Sequence, residues 1–348
     1  PGGQARLPDL PPSLLELICQ QLTMEYRWAL ARCCRALFAP LFASTVLWGD
    51  LSLRLGADDG AARQEKFCSW LFRRRNGLKS LQFERPRPCP LPKGMAALSG
   101  CGLQELLLFK AAFVEEPWHL PQLPALHRLA LTECALGASF VSSTLATLLP
   151  ALLSLEFYRC HFVAGVDWSH AIQALVSAPE NPPEAPEAAL DGLSCLRPLT
   201  RLLSSKCGLM RVPLQLKELR SLKELVLHGS QQLEGRGQQF SAGLLALQHL
   251  TALTFISLSG CGLVRLPQQL SCVSTLHQLD ISWNSFGGAD VRELLEPLQH
   301  LTRLTRIDLS SCSLLALPAF IYSLKALVSL NLFNNDFGVV GTEDSLAP

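Results

Sequence analysis

Charge is scarce in this 348-residue chain: Asp, Glu, Lys and Arg together make up 17% of it. What there is nearly cancels, 30 basic residues against 29 acidic ones, for a net charge of +1. Phosphate binding normally leaves a basic footprint, so a nucleic-acid partner is not expected. The sequence lacks a polybasic tail that would hold it to a membrane surface. Its 13 cysteines include no Cys-x-x-Cys pair, and no Asn-x-Ser/Thr site occurs. The absent spacing removes the usual zinc motifs, and the length is wrong for a small disulfide scaffold. Reduced thiols fit a cytoplasmic or nuclear setting. The chain opens on Pro1 without a Met, so a targeting segment ahead of it would not be visible.

Catalytic signatures are missing too. There is no Gly-x-Ser-x-Gly elbow, no His-Glu-x-x-His, no Gly-x-x-x-x-Gly-Lys-Ser/Thr and no Gly-x-Gly-x-x-Gly. Gly235 and Gly237 lack the third glycine, and the eight histidines are scattered. Neither an enzyme nor a bound cofactor is expected. Two stretches are nearly free of charge: 135–155 carries none and 237–264 carries only His249. Ser, Thr, Gly or Pro interrupt both, so neither is read as a membrane span.

What the chain has in abundance is leucine, at 74 positions. A pattern Leu-x-x-Leu-x-Leu-x-x-Cys/Asn-x-Leu recurs, with its clearest copies starting at Leu126, Leu152, Leu253, Leu276, Leu304 and Leu327. Weaker copies start at Leu78, Leu103, Leu199 and Leu222. The ninth position is Cys134, Cys160, Cys207, Cys261, Asn284, Cys312 or Asn335 in seven of the ten, and the eleventh is then always Leu or Phe. The copy at Leu78 lacks both signals, and Ser204 stands where the copy at Leu199 should carry its sixth-position Leu. The chain thus resembles the leucine-rich repeat family over about three quarters of its length. That resemblance implies an α/β solenoid over 78–340: a curved parallel sheet with a mixed helical and irregular convex side. Leu at positions 1, 4 and 6 points inward, and stacking is obligatory because no single repeat can bury its own apolar face. The ninth-position Cys or Asn bridges a turn whose backbone would otherwise be buried without partners. Pro213, Pro267 and Pro318 should keep the start of their return segments non-helical. Val291, Leu294, Leu295, Leu298 and Leu301 mark one face of a helix in a longer unit. The stretch 177–189, rich in Pro, Ala and Glu, reads as a disordered surface insertion.

The N-terminal stretch does not follow the repeat. Leu14, Leu15, Ile18 and Leu22 fall on one helical face, and a second apolar set runs from Leu30 to Phe42. Residues 7–53 therefore read as a small helical module. Its residue order resembles an F-box. Leu10, Pro11, Leu14, Leu15, Ile18 and Leu22 match the opening of that pattern. Leu30, Cys33, Cys34 and Arg35 match its middle, and Leu47, Trp48 and Leu51 its end. Ser13 replaces the usual acidic residue and Leu37 the usual Trp. Residues 54–77 form a linker in which Phe67, Trp70 and Leu71 mark a helix capping the solenoid, flanked by Arg73, Arg74 and Arg75.

The combined resemblance implies the substrate-recognition subunit of an SCF-type cullin-RING ubiquitin ligase. Leu10, Pro11, Leu14, Leu15, Ile18, Leu22 and Leu30 would dock on the Skp adaptor, and the solenoid would hold a target protein. Strand positions 3, 5 and 7 face the concave side, because successive side chains alternate. Phe109, Glu156, Tyr158, Arg201, His228, Phe255, Asp280, Arg306, Asp308 and Phe333, with Trp283 at the edge, make the expected target-binding strip. Ten strands would span roughly 40–45 Å, which suits a protein partner better than a small molecule. The alternative is a stand-alone leucine-rich repeat scaffold or inhibitor, in which the N-terminal apolar face packs on the protein itself.

Overall fold

A computed structural model describes residues 15, 17–19, 21–22, 26, 49–54, 68–73, 75–113, 120–137, 140–141, 145–163, 191–209, 214–229, 244–287 and 291–337. The expected insertion at 177–189, Gly235, Gly237, Pro213, Phe67 and Arg74 lie outside them, as does most of the N-terminal helical module.

The strands are β1 (Asp50–Arg54), β2 (Ser80–Pro90), β3 (Glu105–Phe113), β4 (Arg128–Thr132), β5 (Ala135–Gly137), β6 (Ser154–Tyr158) and β7 (His161–Val163). They continue with β8 (Arg201–Ser205), β9 (Glu224–His228), β10 (Phe255–Ser257), β11 (Gln278–Asp280), β12 (Arg306–Asp308) and β13 (Ser329–Asn331). All belong to one parallel sheet, with β1, β2, β3, β4, β6 and then β8 to β13 side by side in chain order. Fourth-position residues form one unbroken ladder, Leu81–Leu106–Leu129–Leu155–Leu202–Leu225–Ile256–Leu279–Ile307–Leu330. A one-residue slip in any repeat would turn its apolar set outward, so the Leu pattern itself specifies the register. This is a leucine-rich repeat solenoid.

Two features differ from the sequence reading, and one weak copy takes its expected place. The stretch expected to close the helical module instead provides β1, in which Leu51 pairs with Leu81 and extends the ladder by one strand. The copy at Leu78 joins the sheet despite its missing signals, with a register shift between Glu84 and Cys89. Beyond the main ladder, β5 pairs with β3 and β7, adding a short second row.

Short 3-10 turns dominate the convex side in short and long units alike. Examples are Leu214–Glu218, Leu244–His249, Gln268–Cys272, Glu296–His300 and Ala319–Ser323. A 3-10 turn rises about 2.0 Å per residue against about 1.5 Å for an α-helix, so it covers the return path with fewer residues. Pro267 and Pro318 are themselves extended, and the turn begins at the next residue, so only the proline position is non-helical. In the longer unit a single α-turn, Val291–Leu294, gives way to 3-10 at Glu296, because Pro297 lacks the N–H that a continuing α-helix needs. Val291, Leu295, Leu298 and Leu301 are buried as the spacing predicts, and Leu294 is half-buried.

The ninth-position ladder does what its chemistry requires. Asn284 accepts from the Cys261 and Leu263 N–H groups through Oδ1, at 3.2 and 2.9 Å. It donates through Nδ2 to the Leu258 and Ile281 carbonyls at 2.9 and 2.8 Å. Asn335 repeats this set with Cys312, Leu314, Leu309 and Leu332. A thiol reproduces mainly the donor half, with one weak acceptor contact, from the Ala111 N–H to Cys134 Sγ at 3.4 Å. The Cys134, Cys160, Cys207, Cys261 and Cys312 Sγ atoms point to the carbonyls of Leu108, Leu131, Phe157, Leu227 and Ile281 in the preceding repeats. Burial pushes the Cys312 thiol up to about 11 and raises Cys160 as well, where Cys134 and Cys207 add to the effect. These two thiols stay protonated and unreactive.

Candidate protein-binding face

The concave surface is built by strand positions 3, 5 and 7 of the repeats. Phe109, Tyr158, Arg201, His228, Phe255, Asp280 and Asp308 lie half-buried along it, and Arg306 is exposed. Phe333 is 78% exposed, and Trp283 is 59% exposed at the rim. The eighth position that carries Trp283 is left-handed from the copy at Leu103 onward: Lys110, Glu133, Arg159, Lys206, Trp283, Ser311 and Asn334 all have φ between 49° and 56°. Gly229 and Gly260 hold the same place with φ of 71° and 62°. A bulky aromatic in that conformation is uncommon, since its Cβ crowds the backbone.

Glu156 departs from its neighbours. It occupies a concave position yet is only 1% exposed. Arg128 grips it bidentately, Nε to Oε1 and Nη2 to Oε2 at 3.0 Å each, and the Ser154 hydroxyl donates to Oε1 at 3.1 Å. Burial alone would raise the Glu156 carboxyl. The Arg128 hydrogen bonds and charge, with Ser154 and Arg201, outweigh that and hold it below the usual carboxylate range. The same hydrogen bonds raise Arg128. Arg201 Nε lies 3.3 Å from Glu224 Oε2 and 3.9 Å from Glu156 Oε1, without hydrogen-bond geometry to either. Glu105 completes an alternating row, 3.9 Å from Arg128 Nη1. Between these side chains is an opening of ≈ 350 Å³ lined by Arg128, Ser154, Glu156, Thr200, Arg201, Lys223 and Glu224. Arg128 and Lys223 were missing from the expected strip. Opposite charges at the third position of adjacent copies were the signal that could have found Arg128.

Toward the other end, carboxylates are clamped by hydroxyls. Asp280 accepts from the Ser257 and Ser282 hydroxyls at 2.8 and 2.6 Å. Asp308 accepts from the Ser310 hydroxyl and the Asn331 amide at 2.6 and 2.9 Å. Burial works to raise Asp308, but these bonds and the Ser310 N–H lower it overall.

Of the expected adaptor-binding residues, Leu10, Pro11, Leu14 and Leu30 lie outside the described residues. Leu15 is buried in the chain's own apolar core, 2% exposed, and Leu22 packs against that core. Ile18 is 38% exposed, beside the exposed Leu17. Among the described residues no helix is long and apolar enough to cross a membrane, and no group of His, Cys, Asp and Glu is arranged to hold a metal ion.

No known family profile matches the chain. Over 147 residues it is 31% identical to the volume-regulated anion channel subunit LRRC8D of Rattus norvegicus, covering 41% of this chain and 16% of that protein. Among solved structures, the TLR13–ssRNA13 complex aligns over 87% of this chain and 39% of that one, with a TM-score of 0.53 at 17% identity. A leucine-rich repeat protein of Leptospira interrogans aligns over 84% and 68%, with a TM-score of 0.49 at 20% identity. The TLR13 likeness supports the fold alone. The chain spans well under half the length of both the channel subunit and the TLR13 chain.

Proposed function

We propose that this leucine-rich repeat protein is an interaction scaffold that holds a polypeptide partner along its concave face and does no bond chemistry itself. The observation that carries this reading is the display of aromatic and Arg side chains on one rigid sheet. Phe255, Trp283, Arg306 and Phe333 all project from strands or strand ends whose backbones the ladder fixes. Such residue types, held in place before binding, lose little entropy on association and supply most interface energy.

The test compares capture of a partner by wild type, by a concave variant (Arg306→Ala with Phe333→Ala) and by a convex variant (Tyr322→Ala). Loss in the concave variant alone is expected. Equal recovery by all three, or loss only in the convex variant, would place the interaction elsewhere.

A narrower reading makes the scaffold the target receptor of an SCF-type ligase. It is supported by the F-box-like residue order and by the exposed pair Leu17 and Ile18, which leaves an apolar edge beside buried Leu15. The suitable variant is Ile18→Asp, since charge at Leu15 would disturb the core. Stoichiometric co-purification of the Skp adaptor, lost in Ile18→Asp, is the expected result. No capture by folded wild type removes the ligase reading and leaves the scaffold reading standing.

A further inference from the structure

We propose that the opening between β6, β8 and β9 is a carboxylate-recognition subsite. It takes an acidic side chain of a polypeptide partner, with Arg201 and Lys223 as contacts and Glu156 and Arg128 as positioning residues. The inference rests on the scaffold reading and specifies its partner's chemistry.

Four observations converge. First, a carboxylate is buried on a face that need not bury one. Desolvating an ion pair costs several kcal/mol, and an apolar pair of similar size would serve stability as well or better. What Glu156 does provide is placement: it fixes the Arg128 fork and draws Arg201 toward the groove. Second, the cations keep unused hydrogen-bonding capacity even where Arg201 is ion-paired with Glu224 and Glu156. Arg201 Nε is buried without a hydrogen-bond partner, and Lys223 has no ion pair among the described residues. Third, the positive charge is concentrated. Between β3 and β9 the concave face and its rim carry Lys110, Arg128, Arg159, Arg201, Lys206 and Lys223 against four carboxylates, an excess of two in a chain whose net charge is +1. Fourth, ≈ 350 Å³ is at the small end of ligand pockets, which run from about 300 to 1,000 Å³. That volume admits one side chain and leaves the rest of its chain on the surface.

The experiment is fluorescence anisotropy on the full chain with octaglutamate, acetylated and amidated so that only side-chain carboxylates are offered. Wild type should bind it, more weakly as salt is raised, and should not bind octaglutamine. Arg201→Ala with Lys223→Ala should weaken binding at least tenfold, and Arg201→Lys should retain most of it. Tyr322→Ala on the convex side should change nothing. Both mutated cations are solvent-accessible, so circular dichroism should show the variants folded. No octaglutamate binding by folded wild type overturns the proposal, as does unchanged binding in the double variant. A preference for the uncapped peptide that survives the double variant overturns the side-chain assignment. Tighter binding of octauridylate would make this a nucleic-acid face instead. If octaglutamate fails while the partner-capture test succeeds, only the carboxylate subsite falls; if both fail, the scaffold reading falls with it.

Discussion

At the ninth position, Asn and Cys hold equivalent places with unequal chemistry. Asn284 satisfies two N–H groups and at least two carbonyls that no strand or helix serves, whereas the Cys261 thiol donates to the Leu227 carbonyl at 2.9 Å and is a weaker donor and acceptor than an amide. Leaving buried backbone groups unpaired costs about 1–3 kcal/mol each. Asn284→Ala should therefore lose about 3 kcal/mol or more in urea denaturation, and Cys261→Ala about 1 kcal/mol. Equal losses would mean that water replaces the Asn amide and that the ladder is not what closes the turn. The second residue-scale expectation concerns Glu156, whose carboxyl is held below its ordinary 4.5 in the fold. The folded chain therefore gives up that proton more readily than the unfolded one. The resulting stability is fully present above about pH 4.5 and is lost as pH falls through the lower, folded value. The deficit of Glu156→Gln relative to wild type should accordingly be largest near pH 7 and shrink in acid. A constant deficit from pH 7 to pH 3 would mean that the ion pair contributes nothing beyond its hydrogen bonds.

The repeats share a strand and a return turn and, in most copies, a left-handed residue and a bridging side chain, and these parts differ in how plainly the sequence displays them. Inward Leu positions and bridging residues were legible because both demand a narrow set of side chains. The left-handed eighth position was not, since Lys, Glu, Arg, Gly, Trp, Ser and Asn all occupy it. There the turn imposes the backbone, and the side chain merely points outward. β1 was hidden for another reason: Leu51 serves the F-box-like residue order and the strand ladder equally well. Most of the concave strip follows from alternation alone, but the burial of Glu156 does not, because its partner Arg128 is 28 residues away in the neighbouring repeat. The eighth position offers a test that separates backbone from side chain. Trp283→Gly relieves the left-handed cost and should raise stability by about 0.5–1 kcal/mol, net of the freedom glycine adds to the unfolded chain. Trp283→Ala keeps the backbone cost and should not gain. Both should weaken partner binding alike. If Gly and Ala variants melt together, the φ of 56° is not strained in solution.

Over the whole molecule, stability is a sum over neighbours. Each repeat's fourth-position residue packs between those before and after it, so a central residue is covered from both sides. Leu279, between Ile256 and Ile307, is 2% exposed. Leu330 pairs with Ile307 alone among the described strands and remains half-buried, as do Leu327 and Leu332. Identical truncations at the two sites should therefore cost unequal amounts. Leu279→Ala leaves a closed cavity and should lose about 2–5 kcal/mol, while the site around Leu330 is already partly open to water and should lose less than half of that. Hydrogen exchange should show the same gradient, with β13 amides opening at lower free energy than those of β8 to β11, because local opening at an end breaks one interface and opening in the middle breaks two. If Leu330→Ala costs as much as Leu279→Ala, then in solution something covers the β13 side of the sheet. Exchange on the isolated chain at falling concentration would then separate the two possible covers. Protection that fades on dilution belongs to a second molecule, and protection that persists belongs to the chain's own residues.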